Sequence, residues 1–266
     1  MRPELLAFQH ARVVDLGQSL ERGMPQSPNH PPFRMVLERR HGDMRRPDGG
    51  SAASELIITG GHVGTHIDAF CHVSHDGLLA DGIDAQSAVV NGRFSQLGVE
   101  TIEPILRRGV LLDVAGASGL DVLEDGAAIT AADLERVCEQ QGTEVRAGDA
   151  VLIRTGWPKH WKDVPRFQGQ VTGVPGPDES AGRWLAEHDA GYVGSDTIAF
   201  EQIPPGRGHS VLPVHHLLLV ERKIHIIELL YLEELARDRL YEFLFVALPL
   251  KIVGATGSPV RPVALV

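Results

Sequence analysis

Fifteen consecutive residues constrain this chain more than any others: Gly61-His62-Val63-Gly64-Thr65-His66-Ile67-Asp68-Ala69-Phe70-Cys71-His72-Val73-Ser74-His75. The even positions carry His62, Gly64, His66, Asp68, Phe70 and His72, and the odd ones carry Val63, Thr65, Ile67, Ala69, Cys71 and Val73. A period of two is that of extended chain, so the stretch reads as a ribbon with one face in the core and the other lining a polar site. Same-face neighbours on a strand stand ~6.6 Å apart, and a straight ribbon would hold His62 and His72 about 33 Å from each other. His66 and Asp68 can meet one ion from extended chain. His62 joins them only through a bend, which Gly64 and the Gly60-Gly61 pair permit.

Imidazole nitrogen and carboxylate oxygen are the donors that zinc, manganese and iron accept. A single histidine on a half-buried strand is ordinarily a hydrogen-bonded structural residue. Four candidates on one face are a different matter, because burying several rings and a carboxylate without a cation or a full set of partners is costly. The cluster therefore points to a metal site. His72 can serve the same ion, a second ion, or a water molecule as a base. His75 falls out of register beside the turn pair Asp76-Gly77 and is the weakest member.

The pattern His62-x-Gly64-Thr65-His66-x-Asp68-x-Phe70-x-His72 resembles the signature of the cyclase-like metal-dependent hydrolases, the family of bacterial kynurenine formamidase and isatin hydrolase. One position departs from it: Phe70 stands where the family has proline, and on the ribbon register it points to the ligand face, where it would alter the pocket wall. A second segment, Pro213 to Leu219 followed by Ile224-His225-Ile226-Ile227-Glu228, ends an apolar run in a carboxylate. Read alone, Glu228 is either a paired or metal-bound group or a surface residue at a strand end. The resemblance implies that Glu228 and an upstream histidine complete the metal site. That histidine is His215, with His216 as the alternative, and His225 is structural.

The resemblance further implies an α/β fold, the swivelling β/β/α type of kynurenine formamidase. It implies one or two divalent ions, zinc first and manganese second, and a homodimer or homotetramer. The implied reaction is hydrolysis of a carbon–nitrogen bond in an aryl formamide such as N-formylkynurenine or a cyclic amide such as isatin. Relatives include lactone hydrolases and proteins named for polyketide cyclisation, so a lactonase, or a cyclase or lyase acting through an enolate, is the alternative, and a non-catalytic metal-binding relative is a third. With one ion, His72 is the general base. With two, Asp68 bridges and His72, His215 and Glu228 hold the second.

Composition narrows the partners. Twenty-five basic against 35 acidic residues leave a net charge of −10, which disfavours a nucleic-acid surface and leaves a small-molecule substrate. Cys71 and Cys138 form no disulfide framework, the first residues lack the basic, then apolar, then small-residue order of a secretion signal, and no apolar run is long enough for a bilayer, so a cytoplasmic enzyme is expected. With 43% hydrophobic residues, the 266-residue chain can bury a large core, and a single domain over residues 1–266 is expected.

In chain order, residues 1–46 read as a strand at Arg12 to Leu16 and a proline-rich covering arm through Pro25, Pro28, Pro31 and Pro32. Glu55 to Thr59 is a strand feeding the ligand stretch. Val110 to Val114, Ala150 to Arg154 and Tyr192 to Gly194 are buried strands. They alternate with a helix from Thr130 to Gln140, stopped by Gly142, and another from Ser180 to His188. This βαβ order predicts a mixed, partly parallel sheet, with Thr155-Gly156-Trp157 and Ser195-Asp196 at strand carboxyl ends, where ligands commonly bind. Gly169 to Pro177 is either a lid or a plain loop, and Gly206-Arg207-Gly208-His209 is equally open. Leu232 to Ala236 reads as an acidic, solvated helix; Tyr241 to Leu248 and Lys251 to Val253 read as strands, and Gly254 to Pro259 as a turn. Trp157, Phe70, Trp161 and Phe33 are candidate aromatic pocket walls.

Overall fold

A computed structural model describes residues 10–266; the first nine residues of the expected arm lie outside them. The early strands are β1 (Val13–Asp15), β2 (Arg34–Arg39), β3 (Ser54–Ile58), β4 (His66–Asp68), β5 (Val89–Val90) and β6 (Arg93–Phe94). The middle of the chain gives β7 (Ile105–Asp113), β8 (Ala128–Ile129), β9 (Ala150–Arg154), β10 (Gly176–Pro177), β11 (Tyr192–Ser195) and β12 (His225–Glu228). The last are β13 (Glu242–Ala247), β14 (Gly257–Pro259) and β15 (Val263–Leu265). Nine of them form one sheet in the order β1-β15-β13-β7-β9-β11-β12-β4-β14. The segment β7-β9-β11-β12 is parallel and its flanks are antiparallel, which is the mixed sheet expected.

The central strands are apolar throughout because both faces are covered. Val110, Leu112, Val151 and Ile153 pack under the helices Ala131–Gln141 and Glu179–Glu187, while Leu111, Leu152, Ile227 and Ile67 belong to a second core on the opposite face with Phe243 and Phe245. The first helix begins where expected: Thr130 accepts from the Asp133 amide, Asp133 returns a bond to Thr130, and Gly142 ends the helix in the left-handed region.

Tertiary context overrides several local readings. Lys251 to Val253 is not a strand, whereas Gly257–Pro259, expected as a turn, is β14 and pairs with β4. Nothing in Gly-Ser-Pro favours a strand; β4 supplies the partner. Gly169 to Pro177 is not a lid, since Val174 is fully buried and pairs with Ile203, and β10 pairs with β8. The short helix Glu233–Arg237 is not merely a solvated face. Glu233 accepts two bonds from the buried Arg154 guanidinium, and Leu235 is in the core. β2 and β3 form a separate ribbon in which every residue is exposed. Among the described residues, no helix is long and apolar enough to cross a membrane.

Candidate metal centre

The ligand stretch is not a continuous ribbon. Only His66–Asp68 is strand, and Val63 to Ala69 are buried without alternation. Before it the chain turns at Gly64, whose φ of +71° belongs to the left-handed region and whose added Cβ would lie 2.2 Å from Leu20. That turn carries His62 back beside Asp68. Gly257 on β14 is the matching requirement, because a Cβ there would meet the His62 ring at 2.5 Å. After the strand, the His72 amide bonds to Ala69 O in a tight turn and His72 stacks on His62, with ring centroids 3.8 Å apart.

Register brings in the second segment. β12 runs antiparallel to β4 with Glu228 opposite His66. His66 Nε2 lies 3.3 Å from Glu228 Oε2 and 3.6 Å from Asp68 Oδ1, and its Nδ1–H donates to Gly64 O at 2.8 Å, which aims Nε2 inward. His215 ends the short helix Pro213–His215, which continues as a wider π-type helix through Glu221. Its Nε2 is 3.1 Å from Glu228 Oε1 and 3.7 Å from Asp68 Oδ2. His216 points elsewhere: it faces Glu221 and stacks on His75 at 3.8 Å. Two groups of three donors result, His62-Asp68-His72 and Asp68-His215-Glu228, and Asp68 belongs to both.

Charge is held here without solvent. Asp68 is 1% exposed. Burial works against its charge, but the surrounding imidazoles of His72 and His62 hold it well below the usual carboxylate range. Glu228 is likewise opposed by burial and pulled down to about 2 by His215 and His66. In turn, burial works against charge on His66 and His215, and their carboxylate partners overcome it, so both are raised. His72 is pushed down to about 4 by burial and stays a neutral base at neutral pH. Asp68 Oδ2 is buried with no hydrogen-bond partner. An unpartnered anionic oxygen between imidazoles fits a cation: a divalent ion would replace the protons of His66 and His215 as counter-charge and give that oxygen a partner.

Three residues outside the expected set support the centre. Glu201, 1% exposed, accepts from the His215 and Val214 amides and from His215 Nδ1–H at 2.7 Å, leaving Nε2 turned to the centre. With Asp68 ionised, His62 Nδ1–H donates to it at 2.7 Å and Nε2 accepts from Thr256 Oγ1 at 2.9 Å. His30, from the proline-rich arm, stacks over His62 at 5.0 Å. Glu201 offered a usable signal, an acid closing the short apolar run Ile198-Ala199-Phe200, much as Glu228 closes its own. His30 and Thr256 offered none.

The centre opens into a cavity of about 290 Å³. The arm reaches it through Ser27, Asn29 and His30, and Val73, Ile198, Leu212 and Leu229 provide apolar walls. None of the four candidate aromatic walls lines it. Phe70 does not face the ligands: its ring lies on His225 at 3.8 Å and an interplanar angle of 12°. His225 donates from Nδ1 to Asp68 O, the structural role expected of it. Trp157 is fully buried and bonded to Phe167 O. At the strand ends, Asp196 is closed off by Thr155 and Gly156, and only the residues beyond it reach the cavity.

Residues 14–202 match the family model named Cyclase. The chain belongs to the cyclase family. This cyclase-family chain is 28% identical over 226 residues to isatin hydrolase of Roseibium aggregatum, covering 82% of the chain and 77% of the relative. It is 24% identical over 250 residues to kynurenine formamidase of Bacillus cereus, at 94% and 95% coverage. Among solved structures, a crystal structure described as a novel cyclase superposes with a TM-score of 0.88 at 29% identity, covering 100% of this chain and 94% of that one. Isatin hydrolase A from Ralstonia solanacearum superposes with a TM-score of 0.75 at 27% identity, covering 99% and 96%.

Proposed function

We propose that this chain is a metal-dependent hydrolase of a carbon–nitrogen bond, with His62, His66, Asp68, His72, His215 and Glu228 holding one or two ions, zinc or manganese. The observation that carries this is Asp68, a buried carboxylate common to both donor groups and lacking a partner for one oxygen. A divalent ion at such a site supplies Lewis acidity toward a carbonyl oxygen and brings the pKa of a water molecule toward neutrality.

The chain's own residues account for the rest. His72, neutral because burial disfavours its charge, is free to take a proton from the attacking water if one ion is held, and becomes a ligand if two are held. Gly64 O and Glu201 orient His66 and His215 through their Nδ1–H groups. Val73, Ile198, Leu212 and Leu229 give the cavity its apolar walls.

The cavity also favours one substrate class over another. Among the described residues no lysine or arginine lines it, and its carboxylate, Glu228, is in the donor set. A zwitterionic amino-acid formamide needs counter-charges that these walls lack. A neutral, compact cyclic amide does not, which supports an isatin-like lactam ahead of N-formylkynurenine. The exposed β2–β3 ribbon, with Met35, Val36, Leu37, Leu56, Ile57 and Ile58 each about half exposed, supports self-association as a homodimer or homotetramer, since a lone two-stranded hairpin is marginal in water; light scattering reports the subunit count.

The test is elemental analysis of protein purified without added metal, then turnover of isatin, formanilide, N-formylkynurenine and a small lactone in ¹⁸O-labelled water. Hydrolysis places one solvent oxygen in the product. Product formed without label transfers the chain to the cyclase or lyase reading, and no turnover with either zinc or manganese rejects the hydrolase.

A further inference from the structure

Resting on the hydrolase reading, the inference concerns His209, a histidine that belongs to neither donor group. It sits on the loop between Pro204-Pro205 and Pro213, where Gly206 and Gly208 have φ of +73° and +52° and Ser210 Oγ–H ties back to Arg207 O. This loop brings His209 into the lining of the cavity, which Leu212, His215 and Glu228 also line. Its Nε2 is buried and meets no protein partner. Of the residues lining the cavity, no other has a buried side-chain polar atom left unpartnered. A buried imidazole nitrogen without a partner is costly unless something that enters the site uses it.

We propose that His209 is a substrate-contacting residue whose Nε2–H donates to a second oxygen of the substrate, one other than the carbonyl oxygen under attack. A substrate with two carbonyl groups, such as isatin, satisfies both the metal centre and His209, and one with a single carbonyl, such as formanilide, leaves the imidazole unpaired. Discrimination of this kind arises because the site's own polar group is stranded by the wrong substrate. His209 therefore selects between dicarbonyl lactams and simple aryl formamides.

The experiment measures kcat/KM for isatin and for formanilide with the metal-loaded wild type, His209→Phe and His209→Gln, with bound metal per chain measured for each. The ratio of the two kcat/KM values is expected to fall about tenfold in favour of formanilide in His209→Phe, the worth of one hydrogen bond. His209→Gln, which keeps an N–H donor, should recover most of it, and all three proteins should carry the same metal. An unchanged ratio, or a ratio that falls in the glutamine variant as far as in the phenylalanine one, overturns the role of His209 and leaves the hydrolase reading standing. Wild-type turnover of neither compound overturns the selection by His209 and leaves the hydrolase reading to N-formylkynurenine and the lactone.

Discussion

Glu201 offers the sharpest test of how the centre is held. Its carboxylate takes three bonds at 2.7 to 3.0 Å, from the His215 amide, His215 Nδ1–H and the Val214 amide. Glu201→Gln keeps the shape and one acceptor oxygen. If that oxygen stays on His215, the new NH₂ faces the Val214 N–H, so one charge-assisted bond becomes a donor–donor contact and two others become neutral. At about 1.5–3 kcal/mol for a bond to a charged acceptor and about 1 kcal/mol for a neutral one, the gross loss is roughly 2.5–7 kcal/mol. Burying an amide in place of a carboxylate returns part of this, leaving an expected fall in stability of about 2–3 kcal/mol. The effect on metal is separate. Without an ionised partner on Nδ1, His215 is a poorer and less firmly aimed donor, and loss of such an outer carboxylate weakens metal binding about 10- to 100-fold. Competition with a chromophoric chelator measures that affinity, and thermal unfolding of the metal-free protein measures the stability. A variant that binds metal as tightly as wild type, whatever its melting temperature, refutes the claim that Glu201 orients His215 toward the ion.

Asp68→Asn removes the donor common to both groups and should reduce bound metal at either one and bring turnover to background; full metal and full activity in that protein would end the metal proposal. His72→Ala separates one ion from two: metal analysis should find the wild-type content with lost activity in the first case and about half the metal in the second. Gly109→Ala tests the sheet rather than the site. A Cβ there lies 2.2 Å from the Phe243 ring that covers it, so the variant should lose about 1–3 kcal/mol and melt several degrees lower, with metal content unchanged.

What could be read in advance depended on how local the cause was. The helix Ala131–Gln141 was legible to within a residue because Thr130, Asp133 and Gly142 set its ends by their own chemistry. That His62, His66, Asp68 and His72 gather in one place was legible by residue type, and Gly64 marks the bend. Phe70 escapes the two-residue period because only three residues are strand; beyond Asp68 the chain turns, and the ring falls on His225 instead of the ligand face expected from the alternation. His215 was separable from His216 only in three dimensions, where a helix start places one against Glu228 and sends the other toward Glu221. His30, His209 and Thr256 depend on contacts with residues far along the chain, and no spacing rule reaches them.

β4 is the last strand but one, and the strand outside it, β14, ends in Pro259 opposite His66. A proline has no N–H to offer outward, so the rim nearest the candidate metal donors is a poor template for a foreign strand. The buried carboxylates and imidazoles beside it are thereby kept from edge-on pairing with another polypeptide, and the burial of Gly257 and Ser258 acts in the same direction.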